Sequence, residues 1–101
     1  MKITKGIYEV LTHGTPITDV ILETEIAGLS LIPSGQRLVG AEVELVDAER
    51  REYRLKEALP SIPDQYEFIL IDAPPSLGFL TINALTAAGS VLVPVQCEYY
   101  A

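Results

Sequence analysis

The stretch Phe68-Ile69-Leu70-Ile71-Asp72-Ala73-Pro74-Pro75-Ser76 decides the fold class. Four apolar residues in a row, one aromatic and two β-branched, read as a strand buried on both faces, the kind found in parallel sheets. Pro74 and Pro75 end it, because proline removes a ladder donor and fixes its own φ. Leu77 to Ala88 follows as a helix, with Leu80, Ala84, Leu85 and Ala88 available to face a sheet and Gly89 as its stop. Ser90 to Val95 reads as the next buried strand. Strand, helix and strand make one βαβ unit, which implies a parallel pair with a right-handed crossover. The class is therefore α/β.

Upstream, Gly6 to Thr12 reads as a short helix presenting Ile7, Val10 and Leu11 on one face, with Gly14 beyond it as a stop. Thr15-Pro16 looks like an N-cap followed by proline at the first helical position, opening a helix through about Leu22. Leu29 to Ile32, ended by Pro33, Ser34 and Gly35, suits a short buried strand. Gln36 to Leu59 is the longest helical pattern, but polar Glu49 to Glu52 interrupt its apolar stripe. A kink or two separate helices are expected there, and Pro60 and Pro63 close the region.

The 101 residues make at most one domain and are 49% hydrophobic, enough to build a core. A formal charge of −7 argues against a nucleic-acid surface within this stretch, because phosphate contacts need clustered Lys and Arg. The one basic cluster, Arg50, Arg51, Arg54 and Lys56, is interleaved with Glu49, Glu52 and Glu57 and reads as a solvated, internally paired face. No apolar run reaches the roughly 18 residues of a membrane span, and the first five residues lack a signal peptide's apolar core. The single cysteine, Cys97, supports neither a disulfide framework nor a cysteine zinc site, so a cytoplasmic location is expected. Cys97 reads as an inert thiol, His13 as a surface histidine at a helix end, and Glu42 and Glu44 as a solvated face.

Asp72 is the residue best placed to carry chemistry. A carboxylate at the end of a buried strand reaches the crevice where α/β proteins hold ligands. There it can hold Mg²⁺, often through water, beside the phosphates of a nucleotide. It can equally cap a turn or the next helix, and the proline pair can be no more than a rigid strand-to-helix turn.

Ile71-Asp72-Ala73-Pro74-Pro75-Ser76-Leu77-Gly78 resembles the Walker B strand and following switch segment of the ParA/Soj partitioning ATPases. Thr81-Ile82-Asn83-Ala84-Leu85 and Pro94-Val95-Gln96-Cys97-Glu98-Tyr99-Tyr100-Ala101 continue the resemblance. Upstream, Gly6 to Leu11, Leu31 to Ser34, Gly40 to Leu45 and Arg51 to Leu55 read like the same family, which thus covers nearly the whole chain. Ala73 stands where many relatives carry Cys.

The resemblance implies a P-loop NTPase-type parallel sheet flanked by helices. It further implies ATP and Mg²⁺ as cofactors, with Asp72 holding the metal through water, and Ala73, Pro74, Pro75 and Ser76 as the switch segment. Gln96, Glu98 and Tyr99 would line the nucleotide or the dimer surface, or else pack on a neighbouring helix. ATP would join two subunits into a homodimer that binds DNA without sequence preference, and a ParB-type partner would stimulate hydrolysis, so that chromosomes or plasmids segregate. A nucleoid association follows, and no membrane partner is expected.

No Gly-x-x-x-x-Gly-Lys phosphate loop occurs in the sequence, and nothing matches the family's water-orienting aspartate. Residues 1–101 therefore read as a partial nucleotide-binding domain, an internal piece whose phosphate-loop strand and C-terminal part lie elsewhere. The strands at Leu29 to Ile32, Phe68 to Asp72 and Ser90 to Val95 would then not be mutual neighbours. Two other readings fit the residues. One is a MinD-like membrane-associated ATPase, marked by a C-terminal amphipathic helix. The other is a small non-enzymatic α/β interaction domain.

Overall fold

A computed structural model describes residues 5–73 and 78–94. The first helix, α1 (Ile7–His13), is the hub. Val10 on one side of it packs with Ile17, Val20, Ile32, Ala58 and Ile62. Leu11 on the other packs with Leu45, Leu55, Leu38, Ile71 and Leu80. The helix ends at Gly14, which takes left-handed backbone (φ 68°, ψ 19°), as the sequence suggests. At its start, the Gly6 N–H donates to Glu9 Oε1 at 2.7 Å and the Ile7 N–H to the Pro33 carbonyl at 2.9 Å. Gly6 lies so close to that carbonyl that any Cβ would overlap its oxygen.

The helix expected from Thr15 to about Leu22 is a single 3₁₀ turn, Ile17–Val20, and Pro16 precedes it as the extended cap rather than as its first residue. Ile17, Thr18, Val20 and Ile21 are β-branched and lose χ1 freedom in a helix. Ile21 already has ψ 126°, and the chain enters β1 (Leu22–Glu23). This strand pairs antiparallel with β2 (Ser30–Leu31), Leu22 opposite Leu31 and Glu23 opposite Ser30. Thr24 closes the hairpin by donating its hydroxyl to the Leu29 carbonyl at 2.7 Å.

The long helical pattern breaks where the polar interruption places it. Helix α2 (Leu38–Glu44) turns Ala41 inward and leaves Val39 and Val43 exposed. A left-handed Arg50 (φ 54°) and a 3₁₀ turn, Arg51–Tyr53, lead into α3 (Arg54–Ala58). A second 3₁₀ turn, Leu59–Ser61, follows it. The basic cluster is used locally. Arg50 pairs with Glu57 at 2.5 Å, Arg51 with Glu52 at 3.1 Å, and Arg54 donates to the Glu49 carbonyl at 3.0 Å.

Helix α4 (Phe79–Ala87) falls within the span read from the sequence. The segments before and after it differ from the expectation of burial. Phe68, Ile69 and Leu70 are exposed and only Ile71 reaches the core, so neither face of 68–71 is fully covered. Val91, Leu92 and Val93 are exposed as well. Among the described residues the only ladder is β1–β2, so neither segment has a strand beside it. A run of this composition is covered on both faces only when sheet neighbours position a second helical layer, and the described residues supply one layer.

Candidate nucleotide site

Asp72 takes its place from its neighbour. Ile71 is half-buried against the Leu11–Leu45–Leu55 cluster, and the chain then emerges so that Asp72 and Ala73 are exposed. Asp72 has no hydrogen-bond or ion-pair partner among the described residues. The proposed switch residues Pro74, Pro75 and Ser76 lie outside the described residues, as do Gln96, Glu98 and Tyr99 and the thiol of Cys97.

The chain returns at Gly78 against α2. The Leu80 N–H, in the first turn of α4, donates to Glu42 Oε1 at 3.3 Å. Gly78 has no side chain with which to cap its own helix, and a Cβ there would overlap the Glu42 carboxylate. Further along α4, Asn83 is 1% exposed and fully engaged. Its amide donates to the Phe79 and Arg51 carbonyls, both at 2.8 Å, and its oxygen accepts from the Leu55 N–H at 3.1 Å. The Thr86 hydroxyl donates to the Glu52 carbonyl at 2.8 Å, and the Arg51 guanidinium lies 4.2 Å from the centre of the Phe79 ring. Polar side chains thus dock α4 on the 51–55 turn.

The sequence reading missed these anchors. Glu42 and Glu44 are not merely a solvated face: Glu42 caps α4, and Glu44 accepts from the Tyr8 hydroxyl. Their partners stand 36 and 38 residues away, beyond the reach of local periodicity. His13 is exposed as expected, edge-on to Tyr8 with ring centres 5.6 Å apart.

Magnesium keeps several waters and takes one or two carboxylates beside the phosphates of its nucleotide. A single exposed carboxylate without a partner among the described residues fits that demand. No group of three or more His, Cys, Asp or Glu side chains gathers among the described residues, which leaves no all-protein metal cage there. Two hollows, of about 360 and 230 Å³, lie beside the hairpin and beside α3, and Asp72 lines neither.

A family model described as an AAA domain matches residues 1–101. The chain is 52% identical over 100 residues to the chromosome partitioning protein ParA of Myxococcus xanthus, covering 99% of this chain and 35% of that protein. It is 52% identical over 95 residues to the sporulation initiation inhibitor protein Soj of Bacillus subtilis, covering 94% of this chain and 38% of the relative. The chain belongs to the ParA/Soj family.

The chain thus spans a little over a third of the length of these ParA/Soj relatives. Among solved structures it resembles the cobyrinic acid a,c-diamide synthase of Mycobacterium smegmatis, crystallised with an ATP analog and magnesium. The TM-score is 0.89 and the identity 41%, with 97% of this chain and 40% of that one covered. The same protein was also crystallised with ADP and magnesium. The α/β, P-loop NTPase-type fold class follows from that likeness. No helix among the described residues is long and apolar enough to cross a membrane.

Proposed function

We propose that this chain forms the magnesium-side part of the nucleotide site of a partitioning ATPase, with Asp72 as the carboxylate that holds the ion through water, since magnesium sheds water reluctantly. The observation that carries the reading is the exposed Asp72 carboxylate, without a partner among the described residues, immediately after core-anchored Ile71, in a chain 52% identical to two ParA/Soj relatives. The higher identity to these than to the diamide synthase, 52% against 41%, favours partitioning over amide synthesis.

In this reading Mg²⁺, when bound, neutralises charge developing on the nucleotide's phosphates. Asp72 orients the ion, and Ala73, Pro74, Pro75 and Ser76 carry the nucleotide's state toward a second subunit. Gln96, Glu98 and Tyr99 border the nucleotide or that subunit. ATP-dependent dimerisation, sequence-independent DNA binding and stimulation by a ParB-type partner belong to the whole protein. They act through parts beyond these residues, since the arginines of the one basic cluster, Arg50, Arg51 and Arg54, are occupied by local carboxylates and carbonyls.

The test is a chimera in which this chain replaces the matched segment of the M. xanthus protein, assayed for Mg²⁺-dependent ATP hydrolysis. Asp72→Asn keeps the volume and removes the charge, and turnover should fall on the order of a hundredfold. The melting temperature should hardly move, because Asp72 is exposed. Near-normal turnover in a folded Asp72→Asn chimera would reject the assignment.

A further inference from the structure

We infer that Glu42 is a positioning residue for the segment that carries Asp72. The inference rests on the proposed function for its effect on turnover and on the geometry alone for its effect on α4. Two anchors bracket Asp72 in the chain. Upstream, Ile71 is packed in the Leu11–Leu45–Leu55 cluster. Downstream, the chain is caught where Gly78 and Leu80 meet the Glu42 carboxylate of α2.

The downstream anchor is unusual in its construction. The cap residue Gly78 is extended (φ −82°, ψ −172°) and offers no side-chain acceptor to the open N–H groups of α4. The acceptor comes instead from another helix, 38 residues earlier, and it carries the negative charge that suits a helix start. A Cβ at position 78 would meet that carboxylate and make it shift. Asn83 sets how α4 lies on the 51–55 turn, and it does so deeper in the helix. Arg51 on the Phe79 ring and Leu80 in the Leu11 cluster hold the side chains of the first turn, and Glu42 adds the acceptor for its open backbone N–H. Releasing that turn would loosen the anchor downstream of Asp72, and a small misplacement of a working carboxylate is costly to turnover.

Two substitutions separate this role from plain stability. Glu42→Ala removes the acceptor, whereas Glu42→Gln keeps an oxygen for the Leu80 N–H and discards the charge. In the 101-residue chain, amide exchange at Leu80 should accelerate about tenfold in Glu42→Ala and by less than about twofold in Glu42→Gln. Exchange at Ala88, bonded to Ala84 at the far end of α4, should be unchanged in both. In the chimera, Glu42→Ala should lower kcat about tenfold with KM for ATP within about twofold, and Glu42→Gln should restore kcat.

Unchanged Leu80 exchange in Glu42→Ala overturns the inference. So does a chimera that loses melting temperature while keeping kcat, or a kcat loss that Glu42→Gln fails to rescue. If the unsubstituted chimera does not hydrolyse ATP, the proposed function falls. The exchange arm then decides by itself whether Glu42 holds the start of α4.

Discussion

The Tyr8 hydroxyl of α1 stands 2.5 and 2.7 Å from the two carboxylate oxygens of Glu44 on α2, donating its one proton across 36 residues of sequence. The ring below it is buried, and the Arg37 guanidinium lies 4.6 Å from the ring's centre. Arg37 also approaches Glu9 at 3.8 Å. The first two helices are thus joined by a polar contact at the edge of the core.

Tyr8→Phe keeps the ring and removes the donor. Because Glu44 itself is exposed and can turn to water, the loss should be moderate, a fall in melting temperature of about 5 °C. The pH dependence supplies a sharper signature. The hydrogen bond to Glu44 raises the Tyr8 pKa above its ordinary value, with burial and the Glu44 charge acting in the same direction. A raised folded-state pKa means the stabilisation is complete below the unfolded value, near 10, and is lost as pH rises through the folded one. Thermal melts across the alkaline range should show this loss in the parent chain and a smaller one in Tyr8→Phe. Equal alkaline losses would place the proton elsewhere.

Asn83 should be the least replaceable polar residue of the chain. Asn83→Ala strips partners from the Leu55 N–H and the Arg51 carbonyl inside the α3–α4 contact and leaves a small void. Two stranded backbone groups and the void should cost about 3 kcal/mol, read from denaturant unfolding. Asn83→Asp keeps the acceptor for Leu55 but aims a charge at two carbonyls, so it should be at least as damaging at neutral pH. Tolerance of Asn83→Asp would mean that the two donated bonds matter little.

Gly6 makes a third test, of shape alone. Its backbone lies against the Pro33 carbonyl, which also accepts the Ile7 N–H. Gly6→Ala therefore has to push α1 away from the 30–33 segment, and rigid backbone cannot yield as a flexible side chain would. A loss of about 2 kcal/mol is expected from overpacking, seen as a lower denaturant midpoint at unchanged slope. Thr15→Ala, at a half-buried position beyond the helix end, is a suitable control.

Local pattern carried the sequence reading where neighbours in the chain decide the outcome. Val10 and Leu11 at the hub, the left-handed Gly14 and the break at Glu49 to Glu52 all follow from spacing and residue type. At Ile17–Val20 the strong start signal of Thr15-Pro16 points to a longer helix, while β-branching ends it after one 3₁₀ turn. Strand β1 left no signal at all, being two residues of hairpin fixed by the Thr24 hydroxyl. At the site, Asp72 was legible from its place after an apolar run. Glu42 and Asn83 were not, because their acceptors and donors come from backbone 28 to 38 residues away, and single side chains in a helix carry no mark of such partners.

The exposed apolar segments lead to the last prediction. Leu70 is 91% exposed and Leu92 93%, and neither 68–71 nor 91–94 has a ladder partner among the described residues. Bare apolar side chains on backbone without strand neighbours form the surface that pairs with other chains. The 101-residue chain should therefore self-associate as its concentration rises, which sedimentation velocity would record. Replacing both side chains, Leu70→Lys with Leu92→Lys, should shift it toward monomer, since lysine at an edge blocks strand pairing. Helix content by circular dichroism should not change, because neither residue belongs to the two core clusters. In the chimera the same pair should be strongly destabilising, for there the two segments would lie inside a completed sheet. A parent chain that stays monomeric at high concentration would show these faces covered in solution, and the doubly substituted chimera folding normally would show that they are not sheet interior in the longer protein.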